Sequence, residues 1–170
     1  MSEIGTTISA SATPPTGARA TFYGTAFHKV SGRNQVAIPK NMKKSMDDSQ
    51  EGPLLLMRIQ SEPFLRLYTK KQFDQKLEDI KNDARVPNDS KFAIIDLMAR
   101  GAEPIEPDSQ GRFVIPGKWM EALSVREEVA FCGAFTFIKI WPAEMQREAE
   151  RLEQEKLAAV AGQVADILNM

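Results

Sequence analysis

His28 and Cys132 are the single histidine and the single cysteine of the chain, and as a pair they could supply a thiolate and its general base. No orienting third group is identifiable, and Cys132 ends the apolar run Glu128-Val129-Ala130-Phe131-Cys132, where a thiol behaves as a small hydrophobe. One Cys and one His cannot make a Cys/His zinc site, and a lone cysteine excludes an intramolecular disulfide framework. Such cysteine usage fits a reducing, cytoplasmic compartment. Carboxylates gather at Asp47, Asp48 and Glu51, and again at Glu103, Glu106 and Asp108. Neither spacing resembles a calcium loop, so solvation of loops explains both groups. GxGxxG, Walker-type glycine loops, HExxH and GxSxG do not occur in the sequence. The expectation is no catalytic residue, no metal, no cofactor, no small-molecule substrate and hence no enzyme.

Charge placement carries more information. Between His28 and Lys44 the chain bears Lys29, Arg33, Lys40, Lys43 and Lys44 and no Asp or Glu. The whole chain has 22 Lys+Arg against 23 Asp+Glu, so it is no indiscriminate polyanion binder and the cations matter by position. Ser31-Gly32-Arg33-Asn34-Gln35 is turn chemistry between the strand-forming runs 22–27 and 36–38. The expected element is a two-stranded hairpin with Arg33 at its tip. A β-ribbon of that width enters a DNA major groove and offers Arg to guanine edges. Lys29, Lys40, Lys43 and Lys44 would flank it for phosphates. The plainer reading of the same lysines is a solvated surface.

The elements that must hold this turn follow from patterning. With 170 residues, 42% hydrophobic and 26% charged, the chain is an ordinary globular one, and no apolar run reaches the ~20 residues of a membrane span. Residues 1–21 are rich in Ser, Thr, Ala, Gly and Pro, lack the features of a signal peptide, and are expected to form a disordered extension. Short helices are expected over 40–46 and after Pro116, and strands at 54–59 and 64–68. Thr69 reads as an N-cap for a helix with Phe73, Leu77 and Ile80 on one face. A second helix is expected over 90–100, ended by Gly101. Pro142 opens a C-terminal helix whose apolar stripe continues through Leu157, Val160, Val164 and Leu168.

The plan then repeats. Pro39 and Pro116 stand 77 residues apart at the ends of matching strands, and Phe64-Leu65-Arg66-Leu67-Tyr68 matches Phe137-Ile138-Lys139-Ile140-Trp141 in type at every place, 73 residues on. The chain therefore reads as two tandem copies of one β-rich module. The divisions are an extension at 1–21, a first module with its helix at 22–85, a connecting helix at 86–101, a second module at 102–141 and a C-terminal helix at 142–170. The fold class is mainly β with flanking helices, α+β.

Asp108-Ser109-Gln110-Gly111-Arg112-Phe113-Val114-Ile115-Pro116 resembles the D-x-x-G-R-x-x-x-P signature of the MraZ family. Phe22-Tyr23-Gly24, Leu67-Tyr68, Gly101-Ala102 and Ile140-Trp141 extend the likeness over nearly everything after residue 21. The resemblance implies two AbrB-like swapped-hairpin modules forming a pseudo-dimer within one chain, and chains closing into a homo-oligomeric ring. It also implies binding to direct repeats in double-stranded DNA upstream of a division and cell-wall gene cluster, repression of transcription, and a place at the nucleoid. An interaction protein with weakened DNA reading, and an antitoxin-like regulator, are the competing classes.

Aligned on Pro39, the first copy has Ser31 at the motif Asp, Asn34 at its Gly and Gln35 at its Arg. Asn is the best non-glycine residue for a left-handed position. Gln35 loses the permanent charge but keeps an amide able to pair with adenine, and Arg33 keeps a cation on the loop. The reading turn is therefore assigned to copy one, with Arg33 and Gln35 at base edges. In copy two, Asp108, Gly111 and Arg112 are expected to be structural, with Arg112 paired to an acid.

Overall fold

The computed structural model describes residues 19–170. Most of the expected extension thus lies outside the described residues, but its last three residues do not behave as an extension. Ala20 is buried, its N–H donates to Glu51 Oε1 (2.7 Å), and its carbonyl accepts from Gln72 Nε2 (2.7 Å). The boundary moves to about residue 19 because a buried carboxylate grips that peptide, which composition could not show.

Two layers make the core. The first is an antiparallel six-stranded sheet in the order β1-β7-β8-β4-β3-β5, built from β1 (Thr25–Lys29), β3 (Leu54–Arg58), β4 (Leu65–Thr69), β5 (Glu103–Ile105), β7 (Glu128–Gly133) and β8 (Ile138–Pro142). The second is a two-stranded ribbon of β2 (Gln35–Ala37) and β6 (Arg112–Val114), flanked by α1 (Lys40–Ser49) and α4 (Gly117–Ala122). Alternation assigns the faces. Leu65 and Leu67 of β4, and Ile138 and Ile140 of β8, point inward to one cluster with Val36, Ile38, Phe113, Ile115, Met42, Met46, Trp119 and Met120. Each such fully buried aliphatic side chain contributes about 1.5–3 kcal/mol.

Residues of opposite parity, with Tyr68 and Met57 among them, face outward and are covered by α2 (Lys70–Asn82) and α3 (Asn88–Gly101). As expected, Thr69 caps α2, its hydroxyl accepting from Gln72 N (3.2 Å). The C-terminal helix is broken rather than single: α5 (Ala143–Ala158) and α6 (Ala161–Leu168) are separated at Val160, whose φ of −125° is not helical. The segment 158–162 joins a β-branched residue and a glycine and is exposed throughout, so nothing offsets its poor propensity.

Strand pairing departs from the expected local hairpin. β1 and β2 do not form a ladder; β1 pairs with β7 (Phe27 opposite Ala130) and β2 with β6 (Val36 opposite Phe113). Reciprocally, β5 of the second copy pairs with β3 of the first (Leu55 opposite Pro104). The first strand of each copy thus lies on the sheet of the other. A lone two-stranded hairpin is marginal in water, whereas the exchange puts Val36 and Phe113 face to face in the core. The internal repeat is visible in the pairing: Arg66 stands opposite Lys139, equivalent positions meeting at the centre of the sheet.

Candidate nucleic-acid interface

Each copy turns sharply between its first two strands, and the two turns share a plan. In copy one, Ser31 N–H donates to Gln35 O (2.9 Å); in copy two, Asp108 N–H donates to Arg112 O (3.0 Å). The next-but-one bond crosses between copies each way: Ile115 N–H to Asn34 O and Ile38 N–H to Gly111 O, both 2.9 Å. The register expected from Pro39 and Pro116 is the observed one. Asn34 and Gly111, matched by that register, both take positive φ, 61° and 79°. Arg33 does so as well (φ 67°), so its side chain leaves a tight 3-10 turn at residues 32–34. Asn tolerates that region, and a short polar side chain is the physical reason the exchange is affordable.

The turns differ in what their side chains do. Arg112 is held: its Nε donates to Asp108 Oδ2 (2.7 Å), while Asp108 Oδ1 accepts the backbone N–H of both Gln110 and Arg112 (2.9 Å each). The Arg112 backbone N–H, and then its guanidinium, hold the Asp108 carboxyl below its ordinary range. In copy one the corresponding contact is weak, Ser31 Oγ donating to Gln35 Oε1 at 3.5 Å. Arg33 is exposed and has no carboxylate partner among the described residues, and the same is true of Lys29 and Lys40. Gln35 is half-buried at the start of β2.

The expected lysines are not one cluster. Lys43 and Lys44 are paired within α1 to Asp47 and Asp48, both at 2.7 Å, and the hydrogen bond that Lys44 donates to Asp48 raises its ammonium above the ordinary value. The cation-only stretch ends three residues before those acids, one helical turn away, which is the spacing that lets them meet. Pro39 and Lys40 follow directly on Ile38, which is bonded to Gly111, and Lys43 lines a cleft of about 550 Å³ with Glu106 and Pro107. Strand exchange has carried α1 to the second copy's turn. Of the expected cations, Lys29 and Arg33 stay together at the first.

His28 and Cys132 are not brought together. His28 Nδ1 lies 2.6 Å from Ala37 O and its ring packs on Phe131, while burial pushes the Cys132 thiol up. Among the described residues no group of three or more His, Cys, Asp or Glu could hold a metal ion, and no helix is long and apolar enough to cross a membrane.

A family model described as "MraZ protein, putative antitoxin-like" matches residues 98–165. Similar chains include the transcriptional regulator MraZ of Bacteroides thetaiotaomicron, 23% identical over 82% of this chain and 89% of its own. That of Mycobacterium ulcerans is 24% identical over 82% and 94%, and that of Flavobacterium psychrophilum 27% identical over 76% and 82%. The chain is similar to the MraZ family over most of its length. The stretch matched by the MraZ family model contains the intact motif from Asp108 to Pro116 and none of the first copy, where Ser31, Asn34 and Gln35 replace three motif positions. Identity with the MraZ relatives nonetheless runs over most of the chain, in keeping with two copies that share one turn geometry.

Sequence reasoning missed what surrounds the first turn. Asn34 Nδ2 lies 3.7 Å from where a Cβ on Gly117 would stand, and Val30 N–H donates to Glu127 O (2.8 Å). Both neighbours come from the second copy. Each copy's own pattern carries no signal of the other's contribution.

Proposed function

We propose that this chain binds double-stranded DNA and regulates transcription, with the first turn as the reading element. The observation that supports it is Arg33: exposed, in a left-handed turn braced across copies, and without a carboxylate partner among the described residues. The relatives' name, transcriptional regulator, supports the same reading. Arg33 and Gln35 meet base edges and Lys29 meets phosphate. Lys40, which has no carboxylate partner among the described residues, meets backbone on the side of the second turn, and Lys43 and Lys44 join it by exchanging their i,i+4 partners Asp47 and Asp48, surface pairs that hold weakly, for phosphate. Asn34, Pro39, Gly111, Pro116 and the Asp108–Arg112 pair set the turns.

On this reading the protein is a cytoplasmic, nucleoid-associated repressor, acting on direct repeats upstream of division and cell-wall genes as a homo-oligomeric ring. One turn per chain binds weakly, and chains held together meet successive repeats at high effective concentration, which raises affinity by about 10² to 10⁴. Occlusion of RNA polymerase then suffices.

A second reading rests on Gln35. Without the motif arginine, the chain becomes an interaction protein of the same architecture with little base reading. Fluorescence anisotropy on the protein's own upstream DNA and on a scrambled duplex separates the two. Tight binding that prefers the native sequence and falls with salt supports the regulator. Equal and weak binding to both supports the second reading.

A further inference from the structure

The first turn is wedged between two segments of the second copy. On one side Ile115 N–H holds Asn34 O and Gly117 abuts the Asn34 amide; on the other, Val30 N–H holds Glu127 O. The loop that carries Glu127 is fixed: Ser124 takes a φ of 55°, its N–H donates to Glu121 O (3.0 Å), and Val125 N–H donates to Met120 O (2.9 Å) while its side chain packs on the core. Arg126 stands on that loop, exposed, and has no ion-pair partner among the described residues.

The loop also carries acids, which bear on the sign of the local field. Glu128 is paired with Arg147 (2.8 Å) and faces Lys29 in the register of β1 and β7. That leaves Lys29, Arg33 and Arg126 against Glu127 beside the turn, while on the side away from it Arg126 lines a cleft with Glu144 and with Glu148, the latter paired to Arg151. Lys118, next to Gly117, is engaged with Glu103 and lies over the Trp119 ring, so it adds less. Around the second turn the corresponding strand entry is Glu51-Gly52-Pro53, with no cation at the place of Arg126, and the turn brings Glu106 and Asp108.

Resting on the DNA-binding reading above, we infer that the DNA-binding face is composite and that Arg126, from the second copy, contacts the phosphate backbone beside the turn that reads bases. An exposed arginine on an anchored loop adjoining the reading turn is placed for a position-setting contact that carries no sequence information. Its loss acts on all duplexes alike.

The test uses the full chain, the DNA upstream of its own gene and a scrambled duplex of equal composition, titrated by anisotropy over a series of salt concentrations. R126A is expected to weaken binding to both duplexes by the same factor and to reduce the slope of log K against log salt by about 0.9, one phosphate's worth. R126K restores the slope, and R33A instead changes the ratio between the duplexes. If wild-type protein binds with a salt slope and R126A leaves both affinities and the slope unchanged, Arg126 is off the face while the DNA-binding reading stands. If wild-type protein shows no salt-dependent binding to either duplex, that reading falls and the inference with it.

Discussion

The two turns share one backbone and use it differently. Each is closed by one 2.9–3.0 Å backbone bond, locked to the other copy by a second, and carries a left-handed residue at the same place. In copy two the motif arginine is held by Asp108, so its charge stabilises the turn that bears it. In copy one the motif positions are Ser31 and Gln35, and a different cation, Arg33, projects without a carboxylate partner among the described residues. A duplicated module can therefore keep geometry in both halves while dividing roles: a charge spent inside a turn is unavailable to a ligand. The same division recurs where the strands enter, with Glu51 gripping Ala20 in the first copy and Val125 packed on the core in the second.

The comparison can be broken most severely at its centre. Phe113→Ala removes a buried ring facing Val36 on the cross-copy ribbon and is expected to destabilise the protein by about 3–5 kcal/mol. Chemical denaturation followed both by far-UV circular dichroism and by the fluorescence of Trp119 and Trp141, which lie in the second copy, should give coincident single transitions, whereas separate transitions would mean that the halves fold independently.

Next is the division of labour. Arg33→Ala is expected to cost about 1–3 kcal/mol of binding to the native duplex and leave the melting temperature unchanged. Arg112→Ala should do the reverse, lowering stability with a smaller effect on DNA. Equal binding losses in titrations of the two variants would erase the distinction between the turns.

Removing the Glu51 carboxylate with Glu51→Ala leaves the Ala20 N–H and the Thr69 hydroxyl without their acceptor and should cost about 2 kcal/mol. Urea denaturation of this variant beside Val125→Ala separates a polar grip from an apolar one. At Gly111, where φ is 79°, Ala meets nothing closer than 3.5 Å, so Gly111→Ala should cost about 1–2 kcal/mol from backbone strain alone. Asn34→Gly should change stability by a few tenths, roughly, in the same melts.

The smallest effect is one of pH. Asp108 has its carboxyl lowered by Arg112 in the folded protein, so its contribution is present above the unfolded carboxylate range and is lost as pH falls through the folded value. Thermal melts of wild type and Arg112→Gln should therefore differ at neutral pH and converge in acid. A difference that persists in acid would assign the pair's effect to packing.

Local chemistry was legible where it was local. The Thr69 cap, the left-handed Asn34, the Asp108–Arg112 pair and the match of residues 64–68 with 137–141 all follow from residue types at fixed spacing. The fate of Lys43 and Lys44 was legible too, had the stretch been read one helical turn further to Asp47 and Asp48. Ala20 was not, because a peptide flanked by Thr and Arg is ordered by a carboxylate 31 residues away. The split of α5 from α6 depends on the absence of a packing surface at 158–162.

The sequence by itself determined the repeated module, the shape of each turn and which turn carries a cation to spare, since these are properties of φ preference, capping and charge at neighbouring positions. Only the tertiary structure decided the partners: β1 on β7, β2 on β6, α1 beside the second turn and Arg126 beside the first. Two near-equivalent strands offer the same alternation to either copy's sheet, so strand pattern cannot distinguish pairing within a copy from pairing across. The choice is made by burying Val36 against Phe113, a contact between residues 77 apart that exists only once the chain has folded.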